Sequence, residues 1–201
     1  MKSSLKQKEI RESILDATDS LLARHGYKKM TIDDLAKEVG IGKGSIYLHF
    51  TSKEEIVLSH IDRIIEQLKG KLAALAKKDA PPEERLQKML RTRVLHRFES
   101  VQHYTQSLND LLAAIRPNFL ARREKYFAEE ARIFAGVVAD GQQSGKFAAG
   151  DAFEIAESMI LATNSLLPFN LTVPELGARK DIEAKIGRLA DLLLEGLRRR
   201  P

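Results

Sequence analysis

The sequence predicts an all-α protein with a three-helix N-terminal helix-turn-helix domain and a larger helical domain. Apolar residues recur at intervals of three and four along most of the 201 residues, which is the period of an amphipathic helix. Glycine and proline mark the breaks between these segments. A hydrophobic share of 43% beside 30% charged residues is typical of a globular chain. We place the two domains at residues 1–52 and 53–201.

The stretch from residue 31 to residue 50 predicts two short helices joined by a tight turn. Thr31 lies where an N-cap belongs, and carboxylates follow in the first turn, where they complement the helix dipole. Gly40 ends this helix in the left-handed conformation that glycine adopts without strain. A second helix then runs over residues 43–49. An amphipathic helix over residues 8–25, ended by Gly26, precedes this pair.

The spacing Ala36, Gly40, Ile46 indicates how the two helices cross. A small residue permits close approach, a glycine makes the turn, and a branched apolar residue fixes the crossing, as in a DNA-binding helix-turn-helix. An ordinary helical hairpin would satisfy the same spacing. The outward face of the second helix favours DNA, because it presents hydrogen-bond donors and no carboxylate, a composition suited to phosphate. These donors are Lys43, Ser45, Tyr47 and His49.

The segments TIDDLA (31–36), VGIGKGSIYLHF (39–50) and SKEE (52–55) resemble the N-terminal signature of TetR-family transcriptional regulators. The resemblance covers residues 10–58, and beyond them only length and helical character agree. It implies a homodimeric DNA-binding regulator whose second domain binds a small molecule, and it implies that Lys53 touches a phosphate.

We therefore expect a set of DNA contacts around the second short helix. Base edges would meet Gly42, Lys43, Gly44 and Ser45, phosphates would meet Thr31, Tyr47, His49 and Lys53, and Leu48 lies on the same helix. The charge distribution agrees, since residues 1–53 hold ten Lys and Arg against seven Asp and Glu in a chain of net charge +5.

The larger domain is predicted to contain six helices. Their expected ranges are 53–77, 82–101, 104–115, 118–144, 153–167 and 181–199, with breaks at Pro81-Pro82, Pro117, Gly145–Gly150 and Pro168–Lys180. The last two helices carry surplus apolar surface, and we expect them to form a homodimer interface as a four-helix bundle. The alternative is that they complete a monomer core.

The middle helices are expected to hold the effector, as the resemblance implies. The candidate contacts are Arg97, Phe98, Tyr104, Tyr126, Phe134 and Asn164, although each also suits ordinary core packing. Because the sequence displays no charge cluster there, we expect a largely apolar or aromatic effector. The function predicted is a repressor on a palindromic double-stranded operator, released by this effector. An activator or a helical small-molecule-binding protein is the alternative.

Other classes of site and location are not favoured by the sequence. His96, Glu99 and His103 have metal-like spacing, but we expect their helix face to meet solvent and to bind no metal. Neither a phosphate-binding glycine loop nor a hydrolase motif is present, so we expect no enzyme activity and no cofactor. The chain has no cysteine, no signal peptide and no membrane-spanning segment, which favours a cytoplasmic protein. A scaffold that binds other proteins is a further alternative.

Overall fold

The computed structural model describes residues 2–171 and 173–198, and the side chains of all of these except 2–5, 104–106 and 173. Over this part of the chain the fold is all-α, as predicted, with a single isolated bridge between Phe147 and Arg198. The α-helices are α1 (Lys2–Lys29), α2 (Ile32–Val39), α3 (Lys43–Tyr47), α4 (Lys53–Ala76), α5 (Pro82–Val101), α6 (Leu108–Gln143), α7 (Ala152–Asn164), α8 (Val173–Leu176) and α9 (Arg179–Leu197). Short 3-10 segments span Gln102–Ser107 and Pro168–Asn170. Among the described residues, no helix combines the length and the hydrophobicity that a membrane span requires.

The chain divides into two compact units. The first comprises residues 1–64 and 102–120, and the second comprises residues 65–101 and 121–201. Helices α4 and α6 each contribute residues to both units. These units do not coincide with the predicted domains at residues 1–52 and 53–201. The domain boundary between residues 52 and 53 stays a prediction.

In the first unit, α1 begins at Lys2, six residues before the predicted start. Its interruption falls where predicted, at Gly26, whose φ of 70° and ψ of 168° are not helical. Two constraints require glycine there. A side chain would be strained at this φ, and a Cβ would lie 2.8 Å from the Cβ of Ser107 in the 3-10 segment.

The helix pair α2–α3 forms where it is predicted, although α3 ends at Tyr47, two residues before the expected end. Thr31 caps α2 in a reciprocal capping box with Asp34. Gly40 follows the helix with φ 74° and ψ 33°, and its N–H reaches the carbonyls of Ala36 and Lys37. Leu35 and Ala36 are buried on α2 and Ile46 on α3, so the crossing buries the residues that the spacing selected.

The predicted break at Arg116-Pro117 is wrong, because α6 continues through Pro117 from Leu108 to Gln143. Proline inside a helix removes one N–H donor and its ring crowds the carbonyl four residues earlier, a cost of about 3 kcal/mol that packing on both sides must offset. Ile115 and Phe119 are both buried there, on either side of the proline. The helix expected to start at Tyr104 begins only at Leu108, after the 3-10 segment.

The core of the second unit forms mainly between α5 and α9, with α7 against both. Helix α5 spans the predicted residues, whereas α7 ends at Asn164, three residues early, and α9 begins at Arg179, two residues early. Polar contacts join α5 to α9: Gln87 donates to Asp191 at 2.9 Å, and Arg91 to Glu183 at 2.6 Å. Asp151 caps α7 by accepting from the N–H groups of Phe153 and Glu154.

Candidate nucleic-acid interface and ligand site

Helix α3 presents its outward face to solvent while one residue anchors it. Ile46 is completely buried, whereas Tyr47 is 51% exposed and Leu48 is 84% exposed. Tyr47 is the last residue of α3 and Leu48 is its C-cap, so two large exposed side chains, one of them wholly apolar, follow one another at the end of this helix. This face has the surface of a contact region rather than of a solvated loop.

Two glycines on this face have no packing role inside the protein. A Cβ built on Gly42 or on Gly44 would meet no heavy atom within 4 Å, and neither residue has a positive φ. Glycine within a helix costs up to about 1 kcal/mol relative to alanine. The fold therefore does not require glycine at these positions, which favours close approach by something outside the chain.

The Lys43 ammonium group is held by Asp33 of α2, from which Nζ lies 2.9 Å. This hydrogen bond and charge raise the pKa of Lys43. Both side chains are largely exposed, so the pair contributes little to stability. Lys43 is thus charged and positioned on the outward face, but it must share or leave Asp33 to reach a base edge.

Thr31 is exposed, but its polar groups serve the capping box. Its hydroxyl donates to Asp34 Oδ2 at 2.7 Å and accepts from the Asp34 N–H at 3.1 Å, while its own N–H donates to Oδ2 at 3.0 Å. These bonds lower the pKa of Asp34. A phosphate contact from Thr31 would have to compete with this carboxylate.

Lys53 opens α4, and its ammonium group makes its contacts within the first unit. Nζ donates to the carbonyls of Tyr27 at 3.0 Å and Met30 at 3.1 Å, and lies 4.3 Å from the centre of the Tyr27 ring. An ammonium group has three N–H donors, so one remains for a phosphate. The sequence did not reveal Tyr27 as a partner of Lys53 or Asp33 as a partner of Lys43, since both partners lie outside α3.

The expected effector residues are distributed over both compact units, and their role stays a prediction. Phe98, Tyr126 and Phe134 are buried in the second unit. The backbone of Tyr104 belongs to the first unit, and its side chain lies outside the described residues. Arg97 and Asn164, in contrast, join a single polar cluster in the second unit.

We call this set of residues the arginine cluster: Arg93, Arg97, Arg123, Phe127, Glu130, Thr163, Asn164 and Phe169. Arg93 is completely buried and uses all three nitrogens: Nε donates to Glu130 at 2.6 Å, Nη1 to Thr163 at 2.6 Å and Nη2 to Asn164 at 2.7 Å. Arg97 donates to the second oxygen of Glu130. One buried carboxylate therefore serves two arginines.

The pKa values of Arg93 and Glu130 reflect both burial and the neighbouring charges. Burial, together with the neighbouring Arg97, lowers the pKa of Arg93 to about 10, although Glu130 acts in the opposite direction. Burial by itself would raise the pKa of Glu130, but the two arginines more than offset it and the pKa lies below 4.5. The glutamate is thus held as an anion between two guanidinium groups.

This cluster corrects the premise that no charge cluster exists in the larger domain. Arg93 and Arg97 are four residues apart, a spacing that places them on one helix face, but nothing in the sequence brings Glu130 to them. The solvent-facing position expected of His96 is also wrong. His96 is 9% exposed, and its Nδ1 lies 3.1 Å from Nζ of Lys71. No group of residues in the described part of the chain is arranged to hold a metal ion.

Comparison with known proteins gives one family match and several similar chains. The family model for bacterial regulatory proteins of the tetR family matches residues 14–59. A fatty acid metabolism regulator protein of Bacillus subtilis is 25% identical over 92% of this chain and 93% of its own. The transcriptional repressor KstR2 of Mycobacterium tuberculosis is 26% identical over 68% of each chain.

A solved structure extends the likeness to the whole fold. The transcriptional regulator FadR of Bacillus subtilis, crystallised in complex with stearoyl-CoA, has a TM-score of 0.66 over 92% of this chain and 98% of its own. Its sequence is 21% identical, so the likeness establishes the fold alone.

Proposed function

We propose, from the premise that this chain belongs to the TetR family of DNA-binding transcriptional regulators, that it is a homodimeric repressor released from its operator by a small molecule. In this proposal residues 1–52 read DNA in the cytoplasm, and residues 53–201 dimerise and bind the effector. The single observation that carries it is the outward face of α3, with its exposed Tyr47 and Leu48 and two glycines that the fold does not need.

The proposed docking places α3 in the major groove. Lys43 and Ser45 would contact base edges, with Gly42 and Gly44 permitting close approach. Tyr47 and His49 would hold phosphates beside the groove, with Leu48 against the sugar or base surface. Thr31 and the third N–H of Lys53 would add phosphate contacts at the start of α2 and α4.

Dimerisation through α7 and α9 is supported by two exposed leucines. Leu161 of α7 is 69% exposed and Leu192 of α9 is 70% exposed. A self-complementary interface that buries both would give the dimer its apolar centre. Two recognition helices spaced by about one turn of DNA, ~34–36 Å, would then meet adjacent major grooves.

Release by an effector is a matter of linkage. A ligand that binds more tightly to a conformation with another spacing of the two recognition helices lowers the affinity of the protein for DNA. By linkage, bound DNA lowers the affinity for that ligand by the same factor. The names of two relatives support this class of regulator, since one is a repressor and the other regulates fatty acid metabolism. The apolar side chains of the second unit suit an effector with an apolar body.

The DNA-binding proposal is tested by selecting fragments from random DNA and titrating them by fluorescence anisotropy. We expect Tyr47→Ala to weaken binding to all fragments by at least about tenfold, and Lys43→Ala to change which fragments are selected. Ser20→Ala, an exposed change on α1, serves as the control. Unchanged affinity of Tyr47→Ala would refute the docking.

The dimer proposal needs its own measurement. Leu161→Glu and Leu192→Glu each place a charge at the proposed interface, and we expect sedimentation to show monomers that bind the operator at least about tenfold more weakly. Leu48→Glu, on the exposed face of α3, should leave the oligomeric state unchanged. A wild-type protein that sediments as a monomer on its operator would rule the dimer out.

A further inference from the structure

The arginine cluster holds more positive charge than its one carboxylate neutralises. Arg93 and Arg97 share Glu130, and all three side chains are buried. An uncompensated charge in the interior is strongly unfavourable, and buried ion pairs are in general weak contributors to stability. Packing of the second unit would be served by a single Arg93–Glu130 pair, so Arg97 requires another explanation.

A third guanidinium group, that of Arg123, lies against the same phenyl ring as Arg93. Arg123 Cζ is 5.7 Å from the ring centre of Phe127 and 5.8 Å from that of Phe169, and Arg93 Cζ is 5.3 Å from Phe127. The two phenyl rings stack with their centres 6.3 Å apart. Within the described residues no carboxylate pairs with Arg123, which is half-buried. Arginine therefore exceeds carboxylate by three to one, next to two aromatic rings.

We propose that Arg97 and Arg123 bind the carboxylate of a small monocarboxylic acid with an apolar body, and that Glu130 occupies part of this position in the free protein. The proposal rests on the proposed function in taking this acid to be the effector. Once the acid is bound, Arg93 keeps Glu130 and Arg97 gains its own counter-ion. The apolar body would lie against Phe127 and Phe169.

The charge balance favours a carboxylate over a larger anion. A carboxylate carries one charge and accepts charge-assisted N–H bonds from a guanidinium group, and Arg97 Nη2 already gives one such bond to Glu130 while its Nη1 donates to the carbonyl of Arg93. The rings of Phe127 and Phe169 offer apolar and cation-holding surface, but no further donor for a phosphate oxygen. A coenzyme A thioester, whose charges lie on phosphates, is therefore the competing outcome.

Isothermal calorimetry on the full chain without DNA tests the proposal. The probes are decanoate and phenylacetate, each compared with its primary amide, and decanoyl-CoA. We expect at least one acid to bind at least about tenfold more tightly than its amide, because the amide cannot form the charge-assisted bonds. Decanoyl-CoA should bind more weakly than decanoate.

Two variants locate the site. Arg97→Gln and Arg123→Gln should each weaken binding of the acid by about tenfold or more and leave binding of the amide unchanged. Arg132→Gln, an exposed change on α6, is the matched control and should behave as wild type. Arg97→Gln leaves Arg93 and Glu130 as a balanced pair, so its melting temperature should equal or exceed that of the wild type. Should Arg97→Gln fail to fold, Arg123→Gln alone decides.

Three results would overturn the proposal: neither acid binds, acid and amide bind equally, or both variants retain wild-type affinity. Binding of decanoyl-CoA without decanoate would overturn it in favour of the thioester. Failure here is distinguishable from failure of the proposed function. Operator binding by the free protein tests the regulator, whereas calorimetry without DNA tests the acid, and release of the operator by the acid joins the two.

Discussion

The outward face of α3 is exposed and built from residues adjacent in the chain, whereas the arginine cluster is buried and joins residues as far apart as Arg93 and Asn164. The donors of α3 are held loosely, as Lys43 is by Asp33 in an exposed pair. In contrast, all three guanidinium nitrogens of Arg93 donate to internal acceptors. Substitutions at the α3 face should therefore change binding with little effect on folding, while replacement of Glu130 in the arginine cluster should change stability.

The largest expected effect is that of Glu130→Gln on stability. This change leaves Arg93 and Arg97 buried without a counter-ion, so the free energy of unfolding should fall by about 3–5 kcal/mol in urea denaturation. The adjacent Glu129 pairs with Lys69 at 2.6 Å and is partly exposed. Glu129→Gln is thus a matched control that should cost about 1 kcal/mol or less. Equal losses in the two variants would mean that the cluster is not electrostatically distinct.

The difference in unfolding free energy between the wild type and Glu130→Gln should depend on pH, because the pKa of Glu130 is lowered in the folded protein. Its pKa in the folded protein is below 4.5, so its ionised form contributes stability that is complete above pH 4.5 and is lost as the pH falls through the folded pKa. The gap in unfolding free energy between wild type and Glu130→Gln should be constant from pH 7 to pH 5 and should narrow below pH 4.5. A gap that does not narrow would contradict the anionic state of Glu130.

The local features of the first unit could be predicted because each is encoded by a few neighbouring residues. The cap at Thr31, the left-handed Gly40 and the interruption at Gly26 depend on backbone preferences that a residue carries with it. The exposed face of α3 followed from the same short pattern. The continuous α6 did not, because burial of Ile115 and Phe119 outweighs the preference of Pro117 to end a helix.

The arginine cluster could not be predicted, because it depends on packing between helices rather than on any one of them. Arg97 and Asn164 stand out in the sequence as isolated polar residues on apolar helices, yet Arg93, which joins them, does not. Glu130 lies 37 residues after Arg93 and carries no local signal. The prediction for His96 is wrong for the same reason, since helix periodicity alone does not reveal which face a neighbouring helix covers.

Gly40 and Gly44 have equally open surroundings, and comparing them tests whether a glycine is required by the fold or only by the exposed face of α3. A Cβ added to Gly40 or to Gly44 would meet no heavy atom within 4 Å, but only Gly40 has a positive φ, 74°. Gly40→Ala should lower the free energy of unfolding by about 1–2 kcal/mol, because a side chain is strained in the left-handed conformation. Gly44→Ala should raise it by up to about 1 kcal/mol.

The same Gly44→Ala variant should bind its operator more weakly in spite of its added stability, because the new methyl group lies on the face that approaches DNA. Anisotropy titration on a selected fragment measures this effect. Wild-type affinity in Gly44→Ala would show that the glycine is not kept for close approach, and would leave its presence in α3 unexplained.

The most direct test of the account is a hydroxyl-radical footprint of the protein on a selected operator at low ionic strength. Two recognition helices in adjacent major grooves should protect two segments centred about 10–10.5 base pairs apart, and Tyr47→Ala should lose both at the same protein concentration. Unprotected DNA, or the same two segments protected by Tyr47→Ala as by wild type, would contradict the claim that the outward face of α3 binds the double helix.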